Sequence, residues 1–215
     1  NNNSISSLRN NILLNLNITK LDLSNNAISS VDNGTFASLG TNLKILILSG
    51  DSASGPPVNS FTFLTKVEEL ILKNYNVQHL TEQNGYFIPF LKLRNLTLDT
   101  WNMQSAGARS FLTSSTLLSL TLLNQSKMQE LQLDSLHSTG MSDLKKLQIS
   151  GTLITKVTLS AFSDLTNIQE LDLSKNHIDT LEQDCFKDIE DTLIKLSLST
   201  NILTSDNSKL LGLVN

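Results

Sequence analysis

Apolar residues recur along the chain at a fixed spacing, and the cleanest copy, residues 168–192, reads IQELDLSKNHIDTLEQDCFKDIEDT. Leu171 and Leu173 alternate as the inward positions of a strand do, Asn176 follows as a turn, and Ile178, Leu181 and Phe186 complete the apolar set. Counted from the first apolar residue of each strand, units begin at Ile18, Leu43, Val67, Leu93, Leu117, Leu144, Ile168 and Leu193, with lengths of 25, 24, 26, 24, 27, 24 and 25 residues. So short a period predicts a solenoid, in which each repeat buries its apolar side chains only against its neighbours. The predicted inward pairs are Leu46/Leu48, Leu70/Leu72, Leu96/Leu98, Leu120/Leu122, Leu147/Ile149, Leu171/Leu173 and Leu196/Leu198. Successive strands should stack about 4.8 Å apart into one parallel sheet.

Residues 1–17 fit the same template entered late, with Asn3, Ile5, Leu8 and Leu13 in the places of Asn176, Ile178, Leu181 and Phe186. The pattern runs about nine repeats, counting partial ones at both ends, and neither end carries a polar or disulfide-bonded cap. A bare solenoid end exposes apolar core to water. Residues 1–215 are therefore expected to form a single solenoid segment, an internal piece of a longer protein.

The turn position carries Asn3, Asn26, Asp51, Tyr75, Trp101, Gln125, Thr152, Asn176 and Asn201 down the chain. A buried amide there can pair with backbone groups that the turn leaves open. Asn3, Asn26, Asn176 and Asn201 are the expected ladder, interrupted over five central repeats where packing and curvature should change. A phenylalanine position (Phe36, Phe61, Phe87, Phe111, Phe162 and Phe186) forms a spine on the back of the solenoid. Stretches such as 160–165 read as short helical turns, whereas Gly55-Pro56-Pro57 precludes a regular helix in its repeat.

Composition adds mainly exclusions. A net charge of −4 without a basic cluster argues against nucleic acid or an anionic membrane surface as partners. No apolar run is long enough to cross a membrane, so membrane attachment would need a segment outside this piece. No signal peptide is visible, as expected for a sequence entered in mid-repeat. Cys185 stands alone beside Phe186, as a buried inert thiol or with a partner elsewhere.

Sequons at Asn17, Asn33, Asn95 and Asn124 are candidate glycosylation sites, with a fifth at Asn2-Asn3-Ser4. Their number is what chance gives for so Asn- and Ser/Thr-rich a chain, so placement matters more than count. Asn33 falls on the back and Asn124 on the flank after a strand. Asn95 points out of the sheet, where a glycan would block a ligand.

Candidate chemistry is sparse. His79, His137 and His177 lie in three repeats without metal-ligand spacing, and His137 is a conceivable sensor of acidity. No H-E-x-x-H, G-x-S-x-G, P-loop or C-x-x-C pattern occurs. Neither catalysis nor a cofactor or metal is expected. Outward strand positions are the place for binding, and among them Ile45, Ile47 and Ile71, flanked by Glu69 and Lys73, form the single adjacent apolar group. It reads either as a ligand or partner site or as surface covered by glycan, loop or chain. The irregular stretch 51–58 and the additional Leu131-Gln-Leu133 alternation read equally as recognition bulges or solvated loops.

Phrases such as ITKLDLSNNAISSVDNGTFASL and IQELDLSKNHIDTLEQDCFKDI resemble extracellular leucine-rich repeat proteins of the 24-residue type, over essentially the whole chain. The resemblance implies an α/β solenoid, curved, with parallel strands on the concave face and short helices and loops on the convex face. Scattered repeat lengths and the interrupted ladder most resemble a Toll-like receptor ectodomain. That resemblance implies a single-pass innate immune receptor, at the cell surface rather than in endosomes. It would sense a microbial product, or work with a protein co-receptor, and signal as a homo- or heterodimer. A secreted or surface adhesion or antigen-binding repeat protein is the alternative, and a cytosolic scaffold the more distant one.

Overall fold

The computed structural model of the chain describes residues 3–80, 85–106, 111, 117–128, 141–159, 161–163 and 165–204. Eight parallel strands make one sheet: β1 (Lys20–Ile28), β2 (Ile45–Gly50), β3 (Glu69–Lys73), β4 (Asn95–Asp99), β5 (Ser119–Leu123), β6 (Lys146–Ser150), β7 (Glu170–Asp172) and β8 (Lys195–Ser197). Each pairs with the strand of the next repeat, so spatial order equals chain order. Lys20, Ile45, Glu69, Asn95, Ser119, Lys146, Glu170 and Lys195 are mutual register partners, at the spacings of the seven sequence repeats.

Every second strand residue from Leu46 to Leu173 is buried, and these leucines and isoleucines form one continuous core with the spine behind them. Burying such a side chain contributes about 1.5–3 kcal/mol. No repeat could do this alone, because each leucine packs on its counterparts one turn before and after. Short two-residue bridges form a second, narrower parallel pairing: Ser7–Leu8 with Ser30–Val31, His79–Leu80 with Ser105–Ala106, and Lys156–Val157 with Thr180–Leu181.

One sequence expectation takes a specific form, and two need correction. The convex side of the described residues holds 3-10 turns, Ala37–Leu39, Val58–Phe63 and Lys187–Ile189, and no α-helix. The longest turn begins directly after Pro57. The prolines stand ahead of its first residue, where their fixed φ and missing N–H cost a turn nothing.

The spine is also not one uniform column. Phe61 faces Phe90 at 5.3 Å, whereas Phe87 stacks on Trp101 and Phe111. The 26-residue repeat thus supplies two rings, one for each neighbour.

The second correction concerns the ladder, whose hydrogen bonds continue where Asn is absent. Asn176 donates from Nδ2 to Ile149 O and Leu173 O, and accepts from the Thr152 N–H and hydroxyl. Asn26 and Asn201 make the corresponding bonds, to Ile5 N–H and to Ile178 N–H respectively. Asn3 is exposed. Gln125, fully buried, donates to Leu98 O and Leu123 O and accepts from Trp101 N–H and Met103 N–H. Trp101 donates its indole N–H to Leu72 O at 3.1 Å, on the strand of the preceding repeat. Thr152 Oγ1 in turn accepts from Ile154 N–H.

In the central repeats, Asp51 and Tyr75 are the two that abandon the ladder. Asp51 turns outward and accepts from the N–H groups of Ala53 and Ser54, which hold its carboxyl below the ordinary range, Ser54 foremost. Tyr75 is buried edge-on against Trp101, and burial drives its phenol pKa upward. Gly50 makes room for it, since a Cβ there would lie 2.6 Å from the Tyr75 ring.

Candidate functional site

The outward sheet face carries the residues available to a partner. At the β2–β3 end, Ile47 pairs in register with Ile71, beside Ile45 and Glu69. The patch is less exposed than the sequence suggests: Ile47 keeps 8% of its surface, and Ile45, Glu69, Ile71 and Lys73 are half-buried. Neighbouring strands stand close enough for long side chains such as Lys73 and Glu69 to cover the isoleucines. Lys73 also leans toward the Asp99 carboxylate, 3.9 Å away on β4.

The opposite end of the same face is polar and hollow. A concavity of about 510 Å³ is lined by side chains of β5, β6, β7 and β8, among them Thr121, Lys146, Gln148, Glu170, Asp172 and Lys195. Register places Lys146, Glu170 and Lys195 side by side on adjacent strands. Each Glu170 oxygen takes one ammonium, Lys146 at 2.8 Å and Lys195 at 3.0 Å. These two hydrogen bonds hold the Glu170 carboxyl below its ordinary pKa, Lys146 contributing most. One row on, Gln148 donates to Asp172 at 2.9 Å, and Asp172 also accepts the Ser174 N–H. Ser150 and Ser174 hydroxyls follow, 3.4 Å apart.

The carboxylates of this groove are therefore paired within the protein, and its two cations share one anion. What it offers a ligand is a row of hydroxyls, amides and partly free ammonium N–H groups, near neutrality overall. Among the described residues no group of His, Cys, Asp and Glu side chains could hold a metal ion. No helix of the described residues is long and apolar enough to cross a membrane.

The candidate glycosylation residues are placed apart. Asn17, Asn33, Asn95 and Asn124 are all exposed. Asn17 accepts from Asn42, and Asn124 donates to Asp99. Asn95 opens β4 on the outward face, between Glu69 and Ser119. His177 is exposed, its Nδ1 3.3 Å from Thr152 O. Cys185 is buried and unpaired, and burial pushes its thiol up to about 11. His137 and the Leu131–Leu133 alternation lie outside the described residues.

The turns share one backbone feature that the apolar repeat does not mark. The residue before the ladder position takes a left-handed conformation in seven repeats: Asn25, Asn74, Thr100, Asn124, Gly151, Lys175 and Thr200. Asn and Gly reach that region at little cost, and would have marked four of them. The exception is Gly50, where Ser52 carries the left-handed turn instead. That shift belongs to the outward loop that Asp51 closes.

A continuous parallel sheet with a leucine core, an amide ladder and an outward polar groove defines a leucine-rich repeat protein. The family profile described as leucine rich repeat matches residues 142–203. Toll-like receptor 3 of Homo sapiens is 31% identical over 183 residues, covering 81% of this chain and 20% of that protein. Leucine-rich repeat-containing protein 3 of Danio rerio is 44% identical over 59 residues, covering 27% of this chain and 22% of that protein. Among solved structures, the Drosophila Toll–Spatzle complex aligns with a TM-score of 0.72 at 17% identity, over 93% of this chain and 28% of that one. A TLR13–ssRNA13 complex aligns with a TM-score of 0.60 at 23% identity, over 97% and 25% respectively. These two likenesses show the fold. The chain spans about a fifth of the length of the curated relatives it matches. It is a leucine-rich repeat protein that resembles part of a Toll-like receptor ectodomain.

Proposed function

We propose that the chain is a ligand-recognising part of an innate immune receptor of the Toll-like type, which senses a microbial product and signals when two receptor chains are brought together. The observation that carries this reading is the reach of the similarity to Toll-like receptor 3, across 81% of the chain and not merely the regular repeats at 142–203. It acts as a binding module rather than an enzyme, on the outer side of a membrane, at the cell surface. The groove over β5–β8 is the contact region. Lys73, Lys146 and Lys195 each face a carboxylate, which leaves little positive charge for a polyphosphate backbone and favours a lipid-bearing product or a protein co-receptor over nucleic acid.

The test uses the full-length protein with complementary luciferase fragments on its cytoplasmic ends. A synthetic bacterial lipopeptide should restore luminescence, and Lys146→Glu with Lys195→Glu should abolish the response without lowering surface biotinylation. A response to single-stranded RNA alone, or one indifferent to these substitutions, would refute the assignment of the groove. The short, closer match to a leucine-rich repeat-containing protein of Danio rerio favours a second reading, a surface or secreted adhesion protein. A full-length sequence without a signalling domain would favour it.

A further inference from the structure

The apolar group at the β2–β3 end lies beside a residue that could cover it. Asn95 and Thr97, the two determining residues of one sequon, both project from β4 on the outward face, with Leu96 buried between them. In register, Asn95 stands against Glu69, and Thr97 against Ile71, which itself stands against Ile47. Strands are about 4.8 Å apart, so Ile71 lies one strand and Ile47 two strands from the sequon, within the span of the first two sugars. Asn95 is exposed, and Ile45 and Ile71 retain partial exposure.

We propose that Asn95 carries an N-linked glycan whose first N-acetylglucosamine units fold back over Ile45, Ile47 and Ile71 and close this half of the sheet face to ligands. The chemistry suits the seat. An N-acetylglucosamine ring presents C–H groups on its face and an acetyl methyl, which pack on aliphatic side chains. Its hydroxyls and amide remain free for Glu69, Lys73 and water at the rim. The tether makes the encounter intramolecular, so modest contact suffices to hold the sugar down. A free ligand at Ile71 would have to share a space one strand from the glycosidic bond. Recognition is thereby confined to the polar groove over β5–β8, whose lining side chains include no sequon asparagine.

This inference rests on the reading that the chain faces the secretory lumen, and the experiment separates the two. The full-length protein is made in mammalian cells, and glycopeptide mass spectrometry reports occupancy at each sequon. Ile71→Cys and, as a control in the groove, Ser197→Cys are then labelled with a maleimide before and after native deglycosylation, and again in the Thr97→Ala background. Expected are an occupied Asn95 and a several-fold faster labelling of the Ile71→Cys thiol once the glycan is removed by either route, with Ser197→Cys unchanged. Cys185, buried, contributes little background. An unoccupied Asn95 beside occupied Asn17, Asn33 or Asn124 overturns the inference and leaves the compartment standing. No occupied sequon at all overturns both. Equal labelling of Ile71→Cys with and without the sugar overturns the fold-back.

Discussion

Replacing Gln125 by leucine tests whether the ladder is carried by hydrogen bonds rather than by asparagine. Gln125 is fully buried and holds four backbone groups. Leucine fills nearly the same volume, so the change removes the amide without opening a large cavity. Leu123 O keeps a second donor, Thr100 N–H at 2.9 Å, and loses little, while Leu98 O gives up its amide donor. Trp101 N–H and Met103 N–H lose the acceptor at 3.2 and 3.3 Å. A buried donor left open costs about 1–3 kcal/mol, which puts the two together at about 2–6 kcal/mol. The gain from burying a more apolar side chain offsets about 1–2 kcal/mol of this. The expected net loss is about 3 kcal/mol, or a drop of about 6–12 °C in Tm for a chain of this size. Gln125→Asn, one methylene shorter but with the same donor and acceptor, should recover most of it. Urea denaturation followed by far-UV circular dichroism reads the midpoint at constant slope. If the leucine variant lies within about 1 kcal/mol of the parent while the slope is unchanged, the two N–H groups find other partners and the ladder argument fails.

Three further outcomes follow from named geometry. Lys175 is exposed with φ 58, so Lys175→Gly should relieve left-handed strain of about 1–2 kcal/mol against an entropic cost of about 0.5–1 kcal/mol, and a lowered urea midpoint would contradict that balance. The Cys185 thiol, pushed up to about 11 by burial, should resist iodoacetamide at pH 8 in the native state and react at once in urea. Because its native pKa is raised, its contribution to stability is complete below the unfolded value and fades as pH rises through the native one. Glu170 and Glu182 are held low, each first by a lysine hydrogen bond, Lys146 and Lys156 respectively. A lowered native pKa stabilises above the unfolded value, about 4.3, and is lost as pH falls through the native one. Thermal melts should therefore be flat between pH 7 and 5 as far as these groups decide. A steep loss between pH 7 and 5 would show that these two carboxylates do not set the acid limb.

Strand positions and register were legible in the sequence because a period-two alternation cannot slip by one residue without turning every leucine outward. The seven repeat lengths are the seven register offsets for this reason. Turn chemistry was less legible. Identity was read where capacity matters: Gln125 holds the same amide as Asn176, one methylene further out, and Trp101 supplies a donor from a ring. The groove was hidden differently. Lys146, Glu170 and Lys195 look unrelated along the chain, and become a charge triad only when register lays their strands side by side. On the outward face the apolar pattern marks Ile45, Ile47 and Ile71, of which Ile47 is buried and the other two are half covered by their neighbours.

The irregular centre is then a coordinated substitution and not a decay of the pattern. Once Tyr75 fills the ladder place, the residue beneath it must shrink, and Gly50 does so. Asp51, with no backbone group to serve inside, turns out and closes its own loop through Ala53 and Ser54. Tyr75 meets Trp101, which keeps the ladder bond to Leu72 O and passes its ring to Phe87 and onward to Phe111. Gln125 then resumes the amide pattern. An aromatic stack thus bridges two amide-laddered stretches, and the sheet runs through both without a break in strand order. The two halves of its outward face consequently share one rigid frame while differing in chemistry. A sequon beside an aliphatic patch marks one half, and a neutral, internally paired polar groove marks the other. A partner that docks in the groove meets strands whose register is held from behind by Gln125, Thr152 and Asn176. Loosening that ladder should therefore weaken binding even where no contacting side chain has changed.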